Sequence, residues 1–409
     1  MPFCYVPLFL PRLQRVNRRN RQYMFYAAID KLLKRLESSI AWVVGTGSWS
    51  ARATLLALAI GLFSSTPNYP LVFSNYYETS WSPVLKKFAH PLYDPSKTEK
   101  PTSHESKLTF RLTVPIIGWA LGLGQRGTLA LYFLAGVALL YLTTILGDRV
   151  SGSREVACCL AITVATTWPG MTSFVVLAGG FYDGVAILLL LCSLYARSSA
   201  GVATCVFLAG WTDERGILAS PLVLLFHGLT EDADVGVRFN PLRAQALAVP
   251  TALAGYAGVR LYLSYRFGLG TAQDPWIQTF VSQLHLLPIG LWTALEGGWI
   301  LVTAAVVDLF VKVRRSPAAW FLLAICPLGF LGIAVLDVTR SMAYLIPAIF
   351  VAVKVLRVYE SPNRLRQLCL IAAMVSVVCP SYYVDNYNEV EWMLPLPFAL
   401  VRWATWLTH

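Results

Sequence analysis

The chain holds 409 residues, of which 56% are hydrophobic and only 13% charged. Soluble domains carry roughly 25% charged residues, so this chain has too few charges to cover a water-facing surface of its size. The formal net charge of +11 does not indicate nucleic acid. The cations gather at the amino terminus and between apolar runs, without zinc-finger spacing or a basic groove pattern. The expectation is an all-α, polytopic transmembrane bundle. The 13 Trp, 19 Tyr and 20 Phe suit a protein with two membrane–water interfaces.

Residues 1–50 form a basic amphipathic segment containing Arg12, Arg15, Arg18, Arg19, Arg21, Lys31, Lys34 and Arg35. A helix from about Tyr23 to Ser39 is expected to lie on an anionic leaflet or stand as a solvated arm. The short apolar run at the start precedes the charges, the reverse of a secretory signal. Residues 51–409 read as one transmembrane domain. Segments of roughly 20 apolar residues cross a bilayer. Spans are placed near 51–73, 128–147, 156–177, 182–196, 200–212, 216–229, 244–263, 287–311, 317–336, 341–357 and 367–381, about eleven in all. A large outer loop fills 74–107. Residues 108–124 are apolar but broken by Pro115 and glycines, and read as re-entrant or interfacial. Residues 394–407, with Arg402, Trp403 and Trp406, read as interfacial too.

Lysine and arginine set the orientation. Arg149, Arg154, Arg197, Arg238, Arg243, Lys312, Arg314, Arg315, Lys354, Arg357, Arg364 and Arg366 fall on the same side as the basic amino terminus. By the positive-inside rule that side is cytoplasmic. A cell or inner membrane is the expected location. Seven cysteines lie in apolar runs, with no CxxC or paired histidine, and read as small buried hydrophobes. GLGQRG (Gly122, Gly124, Gly127) spells GxGxxG without a preceding strand, so it does not read as a dinucleotide site.

The polar motifs then fall at the outer ends of the helices. They are Glu78 in NYYETSW, Asp94, His104 and Glu105 in HESK, Arg111, Tyr182 and Asp183 in GGFYDG, Asp213, Glu214 and Arg215 in WTDERG, and Asp337 with Arg340 in LDVTRS. SYYVDNYNEVEW follows. Ionisable groups near hydrocarbon cost on the order of 2.5–3.5 kcal/mol each, and persist when they pair, line a wet cavity or do chemistry. Asp213, Glu214 and Arg215, packed between two apolar runs, are the sharpest clue; the plain alternative is a tight loop with solvated charges. His104, Glu105 and Asp94 offer ligands to a divalent cation, although no spacing assigns a metal. Glu296 reads either as an intramembrane carboxylate or as the interfacial start of its span.

A lipid-linked sugar carries its phosphate at headgroup depth. Arg111, Arg215 and Arg340 are placed to hold such a phosphate by charge-assisted bonds. Among the carboxylates, Glu78, Asp94, Glu105, Asp183 and Asp213 are candidates to take a proton from an acceptor hydroxyl. His104, Tyr182 and Glu214 complete the candidate binding set. The arrangement resembles the GT-C superfamily of membrane glycosyltransferases, through the inside amino terminus, the span count, and the large first outer loop. That loop carries Tyr76–Glu78, Asp94 and HESKLTFRLTVP with Arg111. Where many members have an acidic pair, a lone Glu78 stands. The resemblance implies sugar transfer from a polyprenyl-phosphate donor, with membrane lipid as the other partner. Two other classes fit the same charges: a transporter or flippase of a lipid or small solute, and a non-enzymatic membrane subunit.

Overall fold

A computed structural model describes residues 27, 31, 34–45, 47–65, 78–97, 105–174, 182–232, 236–270, 276–312, 315–334, 337–379, 381–384 and 389–407. Nearly all are helical. In chain order the helices are α1 (Trp49–Ser64), α2 (Glu78–Ala89), α3 (Thr113–Leu121), α4 (Gln125–Ser151), α5 (Arg154–Thr166), α6 (Trp168–Thr172), α7 (Asp183–Tyr195), α8 (Ser199–Thr212) and α9 (Arg215–Gly228). A hairpin of β1 (Leu229–Asp232) and β2 (Gly236–Phe239) follows. Then come α10 (Ala244–Phe267), α11 (Trp276–Gln283), α12 (Leu287–Leu295), α13 (Gly298–Lys312), α14 (Arg315–Ala334), α15 (Val338–Met342), α16 (Ile346–Tyr359) and α17 (Pro362–Val378). A second hairpin, β3 (Tyr382–Val384) with β4 (Val390–Trp392), precedes α18 (Leu396–Leu407). The fold is a helical bundle; the two hairpins are short additions that no sequence period announced.

Among the described residues, four helical stretches are long and apolar enough to cross a membrane: Gln125–Ser151, Ala244–Phe267, Pro317–Ala334 and Val338–Tyr359. The bent pair α12/α13 makes a fifth. Helix α16 is the axis of the bundle, with Ile346 through Val353 all fully buried. Its neighbours meet through small residues, as membrane helices do. A methyl group on Gly61 of α1 would lie 2.8 Å from the Ala165 carbonyl oxygen of α5. Outward-facing Leu134, Leu261, Val311 and Val378 are largely exposed, as an apolar surround requires.

Helix starts and stops follow local chemistry. Ser153, Ser198 and Ser361 each accept a backbone N–H three residues on, opening α5, α8 and α17. Gly152 closes α4 at φ 71°, a left-handed position where glycine carries no Cβ penalty.

These ends meet on one basic face. Arg149 at the end of α4 donates to the Tyr195 carbonyl at the end of α7. Gln245 at the start of α10 donates to the Arg197 carbonyl before α8. Lys354 on α16 reaches the Phe226 and Leu229 carbonyls at the end of α9. Lys312 closing α13 pairs with Glu360 after α16, and Arg366 of α17 pairs with Glu155 of α5. Arg154 stacks over Trp49 at the start of α1.

Several expected boundaries move. The expected span 51–73 is helical only to Ser64 among its described residues. The 156–177 segment ends as a helix at Thr166 and restarts at Trp168, with Pro169 in its first turn. The expected single span 287–311 is two helices set at 93°. The break is at Glu296, which has φ 47° and is 1% exposed, so it is neither mid-helix nor at a wet interface. A methyl group on Gly297 would sit 2.0 Å from the Ala372 carbonyl oxygen, so the bend is pressed against α17. The outer loop 74–107 is not simply a loop. Its α2 buries Trp81, Val84 and Phe88, and Gly118 of α3 packs directly on the Phe88 ring. Helix α3 has nine residues, about 14 Å, too short to cross. Of the amino-terminal segment, residues 34–44 are helical and residues 1–26 lie outside the description.

Candidate functional site

Opposite the basic face, six charged residues from distant parts of the chain meet in one buried network. Asp183 opens α7 and is completely buried. Arg340 of α15 donates from Nε to its Oδ2 at 2.8 Å, and from Nη1 to Asp337 Oδ2 at 2.9 Å. Asp337 caps α15 at φ 68°, a left-handed position that Asp tolerates better than most residues. On the other side, Arg111 Nη2 lies 3.0 Å from Asp213 Oδ2 in the α8–α9 turn. Asp213 Oδ1 also accepts from the Arg215 backbone N–H at 3.0 Å, which shapes that two-residue turn.

Arg215 joins the two halves. Its Nη1 stands 3.5 Å from Asp183 Oδ1 and 3.6 Å from Asp213 Oδ2. These are ion-pair distances, too long for good hydrogen bonds, and Nη1 makes none among the described residues. Its side chain is 13% exposed, against 7% for Arg111 and 0% for Arg340. Of the three guanidinium groups, Arg215 is therefore the one held least tightly.

Hydroxyl groups complete the cage. Tyr344 donates to Asp183 Oδ1 and Tyr383 to Asp337 Oδ1, each at 3.2 Å. Tyr383 stacks on Trp168 with ring centroids 4.5 Å apart. Thr339 Oγ1 accepts from the Val384 N–H at 3.0 Å, which ties β3 to α15. With three aspartates against three arginines, the network is formally neutral. Charges buried this deeply must be paired, because an unmatched one would carry the full desolvation penalty.

The sequence-derived candidates sort clearly. Arg111, Asp183, Asp213, Arg215 and Arg340 converge. Tyr182, the N-cap of α7, turns away and packs edge-on against Tyr132 in the cluster containing Trp81. Glu214 does not belong to the network: it is exposed and pairs with Arg260 of α10 at 2.6 Å. Arg260 also donates to Tyr256 and lies 4.2 Å over the Phe110 ring. Asp94 is buried in its own group. It accepts from Thr109 Oγ1 at 2.9 Å and from the Gly270 N–H at 3.2 Å. Lys87 beside it donates to the Tyr93 and Thr109 carbonyls. Burial pushes the Lys87 ammonium down to about 7, against the upward pull of Asp94. Glu78 opens α2 and Glu105 opens a 3-10 turn, but their side chains, and all of His104, lie outside the described residues.

Tyr344, Thr339, Lys87 and Arg260 were not among the sequence candidates, and Tyr383 stood in the polar SYYVDNYNEVEW motif without an assigned role. Arg260 also left a readable signal, an arginine in the apolar run 244–263. Among the described residues no three His, Cys, Asp or Glu side chains gather as a metal site would need. The Asp94 oxygens proposed for a divalent cation accept from a hydroxyl and a backbone N–H. Chemically, the network is a set of mutually paired charges rather than a store of free bases. No family model matches the chain, and no curated protein and no solved structure matches it either.

Proposed function

We propose that the chain crosses the membrane about eleven times with its amino terminus in the cytoplasm, and transfers a sugar from a polyprenyl-phosphate donor at the opposite face. The convergence of Arg111, Asp183, Asp213, Arg215 and Arg340, with Arg215 incompletely engaged, carries this reading. The basic face supports the orientation. Leaving aside the short or peripheral α2, α3, α6, α11 and α18 and counting α12/α13 and α15/α16 as one each, eleven helical segments run between that face and the network side, and α1 starts at the basic face. Helices α7, α8 and α9 have 13 or 14 residues, about 20 Å each. That is less than the roughly 30 Å hydrocarbon core. In this reading a water-filled cavity above their network ends admits the donor phosphate.

In this reading Arg215 takes the donor phosphate, with Arg111 and Arg340 fixing the aspartates around it. The acceptor hydroxyl oxygen attacks the anomeric carbon. The carbon–oxygen bond to the phosphate breaks, and the electron pair leaves on the phosphate, where Arg215 stabilises it. The hydroxyl proton goes to a carboxylate of the large loop, Glu78 or Glu105, since Asp94 is engaged by Thr109 and Gly270. Asp183 and Asp213 act as counter-ions that position the guanidinium groups.

The test is release of polyprenyl monophosphate from radiolabelled polyprenyl-phosphate hexoses in proteoliposomes supplied with membrane glycan acceptor. Wild type should release it, and Arg215→Ala should slow release roughly 100-fold, the scale of removing one preorganised charge stabiliser. Equal release by both proteins would overturn the assignment. A second reading, a lipid flippase, is favoured by the 93° break at buried Glu296, whose Oε2 has no hydrogen-bond partner among the described residues. Leaflet exchange of labelled lipid without bond cleavage, abolished by Glu296→Gln, would select it.

A further inference from the structure

The basic face contains a cavity of about 300 Å³ that the proposed reaction does not use. Arg149, Arg197, Arg243, Lys354 and Arg357 line it together with His227, and Glu231 is the single carboxylate among its lining residues. Glu231 is already engaged by Arg357. The other cations are held differently from those of the outer network. Arg149 is pinned by the Tyr195 carbonyl. Lys354 donates to the Phe226 and Leu229 carbonyls at 2.7 and 2.8 Å. Arg357 spends one Nη1–H bond on the Val150 carbonyl at 3.0 Å.

A carbonyl oxygen fixes the position of a cation without cancelling its charge. Arg149 of α4 and Lys354 and Arg357 of α16, held this way, line one small volume together with Arg197 before α8 and Arg243 before α10. His227 Nε2 donates to the Ser193 carbonyl at 2.8 Å, which fixes the ring on the cavity wall. Val150, Leu194, Ala196 and Phe226 give the cavity an apolar wall.

We infer that this cavity binds a phosphate monoester, with the phosphate between Arg149, Arg197, Arg243 and Lys354. Guanidinium forks and an ammonium suit three phosphate oxygens. A cavity of this size admits the group with its ester oxygen, and the apolar wall accepts what is attached to it. The inference stands on the geometry of the basic face and does not rest on the proposed transfer activity.

The test uses purified full-length protein in zwitterionic nanodiscs. Thermal unfolding is followed while short-chain phosphatidate, short-chain phosphatidylcholine or inorganic phosphate is added. A ligand that binds only the folded state raises Tm. Phosphatidate should raise it and phosphatidylcholine should not. If inorganic phosphate at matched concentration has no effect, the source is a lipid headgroup; if it acts as strongly, the source is a soluble phosphate. The variant pair Arg197→Gln/Arg243→Gln removes two exposed cations that the fold does not need. Each basic residue near an anionic surface contributes about 1 kcal/mol, so the pair should weaken apparent affinity by tenfold or more. The inference is overturned if neither phosphate ligand shifts Tm, if phosphatidylcholine matches phosphatidate, or if the double variant responds as wild type does.

Discussion

The two ends of this bundle handle charge in opposite ways. At the end opposite the basic face, three arginines face three aspartates inside the protein, and almost nothing is left over. At the basic end, Arg149 and Lys354 are held by carbonyl oxygens, and the single carboxylate lining their cavity, Glu231, pairs with Arg357. The first arrangement is buried among its own partners, and Arg215 is its most exposed guanidinium. The second includes exposed cations, Arg197 and Arg243, just before α8 and α10. Stability and ligand binding should therefore respond differently to mutation at the two ends.

The largest effect should follow Arg340→Ala. It strips Asp183 and Asp337 of their closest cation inside a dry site, and breaking a buried pair costs about 3–5 kcal/mol. The yield of monodisperse protein and its Tm in detergent should fall sharply, and Asp183→Asn/Arg340→Met should recover part of the loss. A fully stable Arg340→Ala protein would show that the network is not structural. Arg215→Ala should be milder for the fold, because Asp183 keeps Arg340 and Asp213 keeps Arg111. Its Tm should stay within a few degrees of wild type while donor-phosphate chemistry is lost.

The third effect concerns pH. Lys87 has a native pKa of about 7, below its ordinary value of 10.5. Between those values the unfolded chain holds a proton that the native chain has released, so stability should rise with pH across that window. Below pH 7 the ammonium is charged in both states and the dependence ends. Lys87→Met should flatten the profile between pH 7 and 10.5 in chemical-denaturation measurements. The smallest effect on stability should come from Arg197→Gln/Arg243→Gln, within about 0.5 kcal/mol of wild type, as is usual for exposed charges. A large loss there would mean that the basic face is structural after all.

Much of this was legible in the sequence. Helix positions from 182 to 267 lie within a few residues of the expected segments, because turns between apolar runs are marked by Ser, Gly and charge. Asp183, Asp213, Arg215 and Arg340 stood out since ionisable groups rarely interrupt apolar runs without a partner. Their partners were harder to see. Tyr344 and Tyr383 look like any of 19 tyrosines until the fold brings them to Asp183 and Asp337. Glu214 misled for the opposite reason. It shares the TDER turn, yet a helix start sends consecutive side chains in different directions, and only its neighbours face inward. The 93° bend at Glu296 escaped notice because hydropathy averages over the very residues that break the helix. Only the packing of Gly297 against α17 reveals why the bend is held.

The claim that Arg215 holds a lipid-linked phosphate is tested most directly by binding of polyprenyl monophosphate, the leaving group common to all such donors. Polyprenyl monophosphate is also a phosphate monoester, so native mass spectrometry or a radioligand titration in nanodiscs would be run in the Arg197→Gln/Arg243→Gln background, where the basic cavity is weakened, with and without Arg215→Ala. The account predicts at least tenfold weaker binding when Arg215→Ala is added, a loss of about 1.4 kcal/mol. Equal binding with and without Arg215→Ala would contradict it, and would leave the buried network as a lock on the fold.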